Sequence, residues 1–320
     1  MPEGQVLEFS RVTKRFGAVS AVSDFSARVE PGRVTGFLGP NGAGKTTSLR
    51  ILLGLVRATE GSATIGGSSY SSLAHPLQSV GAVLEASSFH PGRTAANHLK
   101  VYAQAAGLPL ARVEETLGLV GLADVGGRKV GGYSLGMRQR LGLAYALLGD
   151  PGVLVLDEPA NGLDPEGIKW MRGFLRRLAR EGRTVFVSSH LLSEVQQTVD
   201  SVLIISQGRL VYQGALDGQL LSDVAQNRQA HATAVEAERV AGGGHVHRRV
   251  LFPLVSPDAI IGGPLLDLGG IVAEALALLC CQDVHNRHGA QLLGGVVMGT
   301  ARGRVGVQDA QRLHVEDPHR

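Results

Sequence analysis

"RVTGFLGPNGAGKTTSLRILLGLV", Arg33 to Val56, decides the fold. It opens as a short apolar strand, "RVTGFL", that runs into glycines. It leaves as a helical pattern, "KTTSLRILLGLV", in which Leu49, Leu52, Leu53 and Val56 are spaced to share one face. Between them lie Gly39, Pro40, Asn41, Gly42, Ala43, Gly44, Lys45, Thr46 and Thr47. They satisfy G-x-x-x-x-G-K-[ST] in the strand-to-helix context that gives the pattern its meaning. Glycines let the backbone curl so that successive N–H groups point inward at phosphate oxygens. The positive end of the following helix adds to that attraction. Lys45 is placed to reach the β- and γ-phosphates, and the Thr46 hydroxyl to hold Mg²⁺. An ordinary glycine-rich turn before a helix would not bring the strand, the spacing, the Lys and the Thr together.

Outward from this loop, the chain alternates strand and helix patterns. "GVLVL" and "TVFVSS" are continuous valine-rich runs, as expected of parallel strands buried on both faces. "VLEFSRV" alternates like a half-buried strand. "SVLIISQGRLVYQG" reads as two strands joined at Gln207-Gly208. Residues 94–149 are mostly helical in pattern, through "HLKVYAQAAG", "RVEETLGLVG" and "RQRLGLAYALLG". The fold class that follows is α/β: a P-loop NTPase with a mainly parallel sheet and a helical insertion.

"VLVLDEP", Val153 to Pro159, ends its apolar run in Asp157 and Glu158. In such folds the C-terminal end of a central strand lies beside the phosphate loop. There Asp157 would hold Mg²⁺, and Glu158 would orient or deprotonate an attacking water. An Asp-Glu pair after a strand is otherwise a common helix cap. Its position downstream of a phosphate loop favours the chemical role.

Composition bounds the rest. A formal net charge of +3, without a dense Lys/Arg block, does not argue for nucleic acid as a partner. The adjacent Cys280 and Cys281 make neither a disulfide framework nor a metal-ligand spacing. The N-terminus lacks the pattern of a signal peptide. No apolar run reaches the roughly 18 to 20 residues a membrane span needs. The expected location is therefore cytoplasmic, with any membrane role exercised through another subunit.

The motifs together resemble the nucleotide-binding subunits of ABC transporters, over residues 4–221. In that family a second motif, usually Leu-Ser-Gly-Gly-Gln, precedes the acid-ending strand. "YSLGM" stands in its place: Ser134 and Gly136 match, while Tyr133, Leu135 and Met137 replace Leu, Gly and Gln. The resemblance implies an N-terminal antiparallel β-lobe and a head-to-tail pair of subunits. In such a pair Ser134 and Gly136 would contact the γ-phosphate of the ATP held by the partner's phosphate loop. Ser134 would equally serve as an ordinary N-cap of the helix that follows.

Further positions carry over from the family one at a time. Phe16, in "VTKRFG", matches the aromatic that stacks on adenine. Asp164, in "NGLDP", matches a dimer-interface loop, although Asp164-Pro165 is also a good N-cap and N1 pair. His190, in "VSSHLLSEV", matches the histidine that contacts γ-phosphate. Glu85, in "GAVLEASSFHPGRT", stands where the family usually has a Gln that reaches the Mg²⁺ and water region. Glu at this place, with "SLGM", resembles the branch that exports bacitracin-like and lantibiotic-like peptides. The implied function is ATP hydrolysis powering a separately encoded permease that exports a drug, peptide or lipid. The implied location is the cytoplasmic face of the membrane.

The composition changes near Ser222. All five lysines, the Trp and all five Tyr lie before it, and Phe252 is the only aromatic after it. The expected domains are therefore an ATP-binding unit, 1–221, with a helical subdomain at about 86–149, and an unassigned tail, 222–320. The tail's composition is unlike either an ordinary globular domain or a typical polar disordered tail; the expectation is translation from a shifted frame of a GC-rich gene, with poor order, and the alternative is a genuine lineage-specific tail that packs as a small domain. Two other functions stay open: a soluble ABC ATPase acting on ribosomes or DNA, and a C-terminally damaged nucleotide-binding product. The single phosphate loop and the lack of sustained heptads weigh against the first of these.

Overall fold

The computed structural model describes residues 2–84, 89–191 and 197–215. Glu85 and the 222–320 stretch lie outside the described residues.

Nine strands and six α-helices are described. In chain order they are β1 (Leu7–Phe16), β2 (Val19–Val29), β3 (Val34–Leu38), α1 (Lys45–Leu52), β4 (Glu60–Ile65), α2 (Pro76–Ser79) and β5 (Val80–Val83). Then come α3 (Ala95–Ala105), α4 (Ala111–Leu119), α5 (Leu135–Ala146), β6 (Val153–Asp157), α6 (Pro165–Arg180), β7 (Thr184–Ser189), β8 (Ser201–Ser206) and β9 (Arg209–Ala215).

Two sheets form. Strands β2-β1-β4 make a three-stranded antiparallel sheet. The other six run in the order β5-β6-β7-β3-β8-β9. All neighbours in this second sheet are parallel except the β8–β9 hairpin. The continuous apolar runs have the cause expected of them. Along β6, Val153 and Val155 enter one core, and Leu154 and Leu156 the other. Along β7, Phe186 faces the first core, and Val185 and Val187 the second. Successive side chains point to opposite faces, and both faces are covered, so neither register could be polar.

The antiparallel sheet is sealed to the parallel one by aromatic rings. Phe9 and Phe25 meet edge-on at 5.1 Å, Phe25 and Phe37 tilt at 5.6 Å, and Phe37 stacks on Phe186 at 5.3 Å. Each pair adds roughly 0.5–1.5 kcal/mol beyond its area burial. Helices α3 to α5 lie between β5 and β6 in sequence. Their buried residues, among them Leu99, Val113, Leu117 and Leu141, join the core on the other face.

Two local signals refine the sequence reading. The α1 helix stops at Leu52, short of the Val56 that the apolar spacing suggested. Gly54, at φ 69°, donates to the Ile51 carbonyl, and Leu55 donates to that of Arg50, which is a Schellman stop. The Gln207-Gly208 junction is a two-residue hairpin, with φ of 48° and 79°. Positive φ at both positions suits the right-handed twist of the flanking strands.

Candidate functional site

The parallel sheet places β6, β7 and β3 side by side, with their C-terminal ends at one edge. Lys45, Thr46, Asp157, Glu158 and His190 lie at or just past those three ends.

The phosphate loop leaves β3 at Gly39 and enters α1 at Lys45. Gly44 has φ 105° and Gly42 has φ 82°. A Cβ on Gly44 would sit 2.5 Å from the Ala21 carbonyl oxygen, and one on Gly39 would sit 2.4 Å from that of Ile205. The loop is thus pressed against the β-lobe and β8, where only glycine fits. Gly208, in the hairpin turn, donates its N–H to the Ala43 carbonyl at 3.0 Å and pins the loop from below. The hairpin itself is legible in the sequence, but its contact with a loop far away in the chain is not.

Lys45 is only 6% exposed. Its ammonium donates to the carbonyls of Gly39, at 2.6 Å, and Pro40, at 3.3 Å, and lies 3.7 Å from Glu158 Oε1. Burial pushes its pKa below the ordinary lysine value, and the charges of Glu158 and Asp157 oppose that shift. The Thr46 hydroxyl donates to Asp157 Oδ2 at 2.7 Å. A hydroxyl beside a carboxylate is the hard oxygen pair that suits Mg²⁺, so the residues present fit that ion.

Asp157 ends β6, and Glu158 follows it at φ 50°, in the left-handed region. A non-glycine residue there costs on the order of 1–3 kcal/mol and persists only where the surroundings enforce it. The result is a carboxylate turned toward two partners. Its Oε2 lies 2.7 Å from His190 Nδ1, just past β7, and its Oε1 faces Lys45. An ionised carboxylate can only accept, so Nδ1 carries the hydrogen in that pair. Lys45, Thr46, Asp157, Glu158 and His190 therefore form one cluster, although sequence separates its outermost members widely.

Ser134, Gly136 and Asp164 form a second group. Ser134 is exposed and caps α5, accepting from the Met137 N–H at 3.2 Å. Asp164 caps α6 in the same way, accepting from the Gly167 N–H at 2.8 Å, with Pro165 at N1. Both line one cleft, together with Gly136, Arg140 and Trp170. The two loops touch: a Cβ on Gly162 would lie 2.6 Å from Leu135 Cδ2. The replacement of a glycine by Leu135 is thus accommodated by a glycine in the "NGLDP" loop.

Phe16 lies at the end of β1. It is 51% exposed rather than part of the core, and Lys14 Nζ sits 4.8 Å from its ring centroid. Glu85 lies outside the described residues. Ser188 was not singled out by any motif. Its hydroxyl donates to Asp157 Oδ1 and accepts from the Glu158 N–H at 3.0 Å. Among the described residues, no helix is long and apolar enough to cross a membrane.

A parallel sheet whose phosphate loop faces an acid pair at the end of the strand next but one defines a P-loop nucleoside triphosphatase. Comparison with known proteins narrows the class. A family model described as "ABC transporter" matches residues 22–161. The uncharacterized ABC transporter ATP-binding protein YhcH of Bacillus subtilis is 44% identical over 209 residues, which are 64% of this chain and 68% of that protein. The bacitracin transport ATP-binding protein BcrA of Bacillus licheniformis is 43% identical over the same shares. The lantibiotic transport ATP-binding protein SrtF of Streptococcus pyogenes is 35% identical over 67% of this chain and 92% of its own length. A solved ATP-binding subunit of an ABC transporter superposes with a TM-score of 0.60 at 25% identity, covering 71% of this chain and 93% of that one. The chain belongs to the ABC transporter ATP-binding proteins, and its activity is ATP hydrolysis.

Proposed function

We propose that residues 1–221 act as one half of a head-to-tail ATPase pair that drives a separately encoded membrane permease. The observation that carries this is the division of the site residues into two groups. One chain presents Lys45, Thr46, Asp157, Glu158 and His190 at the strand ends. It presents Ser134, Gly136 and Asp164 along a different cleft. The second group supplies a helix N-terminus, a hydroxyl and a glycine, which together suit an anion. A second copy would bring that group to the first copy's phosphate.

In this reading the ATP phosphates lie in the Gly39–Thr47 loop. Lys45 exchanges its bonds to the Gly39 and Pro40 carbonyls for bonds to phosphate, and Phe16 covers the adenine. Mg²⁺ would be held by Thr46 and Asp157, with Glu85 carried over from the family resemblance as a further ligand, and would supply charge neutralisation at the phosphates. Glu158 orients the attacking water and takes its proton. His190 fixes the Glu158 carboxylate and lies within reach of the γ-phosphate side. Asp164 meets the partner across the interface. Hydrolysis then releases the pair, which resets the permease.

BcrA and SrtF are named for bacitracin and lantibiotic transport. They support export of a peptide antibiotic, or of a drug or lipid of like chemistry, from the cytoplasmic face of the membrane. The test is to purify the full chain and measure Mg²⁺-dependent ATP hydrolysis together with its mass with and without ATP. Hydrolysis and an ATP-dependent dimer, strongest in Glu158→Gln, are expected. A chain that hydrolyses ATP but stays monomeric in every nucleotide state, the Gln variant included, overturns the paired reading. Co-purification with a multi-span protein from the neighbouring gene tests the permease.

A further inference from the structure

We propose that Ser188 is a positioning residue for hydrolysis, acting through Asp157 and Glu158. The inference rests on the ATPase reading above and extends it to a residue outside the motifs.

Ser188 lies directly opposite Asp157 in the β6–β7 register and is fully buried. The residues before it on β7, Val185, Phe186 and Val187, fill the two cores. Ser188 is where that strand turns polar, beside the catalytic acids. A hydroxyl offers one hydrogen and two lone pairs, and here it uses both functions. The hydrogen goes to Asp157 Oδ1, and a lone pair takes the Glu158 N–H at 3.0 Å.

Two consequences follow. Asp157 has its two oxygens divided, one to Ser188 and the other to Thr46 of the phosphate loop. Its carboxylate plane is thereby set from both sides. Glu158 has its N–H held at the point where the backbone takes φ 50°. That conformation sends the side chain toward His190 and Lys45. Removing the Ser188 oxygen leaves the Glu158 N–H without its partner and gives the turn a reason to relax. The carboxylate then swings away from the line of attack, while the phosphate loop keeps its shape. The side chain touches no part of the nucleotide in this account, so its effect falls on turnover and not on binding.

The experiment compares the full-length wild-type chain with S188A and S188T, measuring steady-state ATP turnover and the Kd of a non-hydrolysable ATP analogue. S188A is expected to lose on the order of 10- to 100-fold in kcat, the scale of a misplaced catalytic group. Its KM and its analogue Kd are expected to stay within about twofold of wild type, as for a contribution felt only in the transition state. S188T restores the hydroxyl on a strand that favours threonine, next to a cleft lined by Pro159, Ile168 and Val187, and is expected to recover most of the loss. Unchanged kcat in S188A overturns the proposal. So does a loss of analogue binding as large as the loss of turnover, or an S188T as slow as S188A. No turnover in the wild-type chain would instead overturn the ATPase reading, and this role of Ser188 with it.

Discussion

His190 Nδ1 lies 2.7 Å from Glu158 Oε2, while the other oxygen of the same carboxylate lies 3.7 Å from Lys45 Nζ. Glu158 is therefore held between an imidazole and an ammonium, of which in the proposed mechanism the first aims it and the second binds phosphate. Replacing its charge while keeping its shape separates the two jobs. Glu158→Gln is expected to bind ATP with wild-type affinity and to lose about 10²- to 10⁴-fold in kcat, the range for a lost general base. Single-turnover hydrolysis and gel filtration with ATP check this, the second by revealing an accumulated ATP-bound dimer. Normal turnover would remove Glu158 from the mechanism.

Lys45→Ala should act on binding instead. The ammonium is buried against two loop carbonyls. A hydrogen bond to a charged group contributes about 1.5–3 kcal/mol, which corresponds to roughly 10- to 150-fold in Kd. The melting temperature of the wild-type chain should rise with ATP, since a ligand that binds only the folded state stabilises it. The variant should show little or no rise at the same concentration. An equal rise in both would place the nucleotide elsewhere.

Two glycines of the same loop make a controlled pair. Gly42 and Gly44 both have positive φ. A Cβ on Gly42 meets nothing within 4 Å, whereas one on Gly44 lies 2.5 Å from a backbone oxygen of Ala21. Gly42→Ala should cost about 1–2 kcal/mol, the left-handed penalty alone. Gly44→Ala should cost more, because a backbone atom must also move. Urea unfolding of the two variants measures the difference, and equal losses would mean the β-lobe does not press on the loop.

The sequence carried some of these elements and not others, for physical reasons. The strands β3, β6 and β7 were legible because burial on both faces demands unbroken apolar runs. The β4 strand was not, since most of "EGSATI" is exposed or half-exposed and lacks that demand. The β5 strand is four residues long, too short to show a period. Lys45, Thr46, Asp157 and Glu158 were legible through local motifs. Their mutual distances were not, and neither was Ser188. Its two bonds depend on the cross-strand register between β6 and β7, which no local pattern encodes. The helix caps show the opposite limit. Ser134 and Asp164 were each readable as a cap, and each is one, yet the cap geometry is also what an anion site would use.

Acid should reveal His98. This side chain is 5% exposed and packs among Phe89, Tyr102 and Tyr145, at ring distances of 4.9, 5.0 and 6.4 Å. Burial, with a smaller push from the Arg93 cation, lowers its pKa below the ordinary 6.5. The folded chain therefore refuses a proton that the unfolded chain accepts. Stability from this source is complete above about pH 6.5 and declines as the pH falls below it. His98→Phe keeps the ring and removes the titration. The melting temperature of wild type, measured against His98→Phe, should fall between pH 7.5 and pH 5. A constant difference across that range would show that His98 is not held neutral.

Ser134 allows the cap and the phosphate contact to be told apart. Its Oγ accepts from the Met137 N–H at 3.2 Å, and the residue is exposed, so its outer side is open to a partner. Ser134→Ala removes the cap and should cost about 0.5–2 kcal/mol of stability. Ser134→Arg removes the cap by a similar amount and also places a long side chain where the partner's phosphate loop would dock. If capping were the whole role, both variants would lose stability alike and keep their turnover. If Ser134 meets the partner's ATP, Ser134→Arg should bind ATP almost as wild type, because its own phosphate loop is untouched, and yet fail to hydrolyse it. Mixing Ser134→Arg with Lys45→Ala sharpens the result. Each head-to-tail mixed pair then contains one site with an intact phosphate loop and an intact Ser134 from the other chain. The mixture should recover part of the turnover that both variants lack alone. Recovery requires two chains to build one site, whereas a Ser134→Arg chain that hydrolyses ATP on its own would leave Ser134 as a helix cap only.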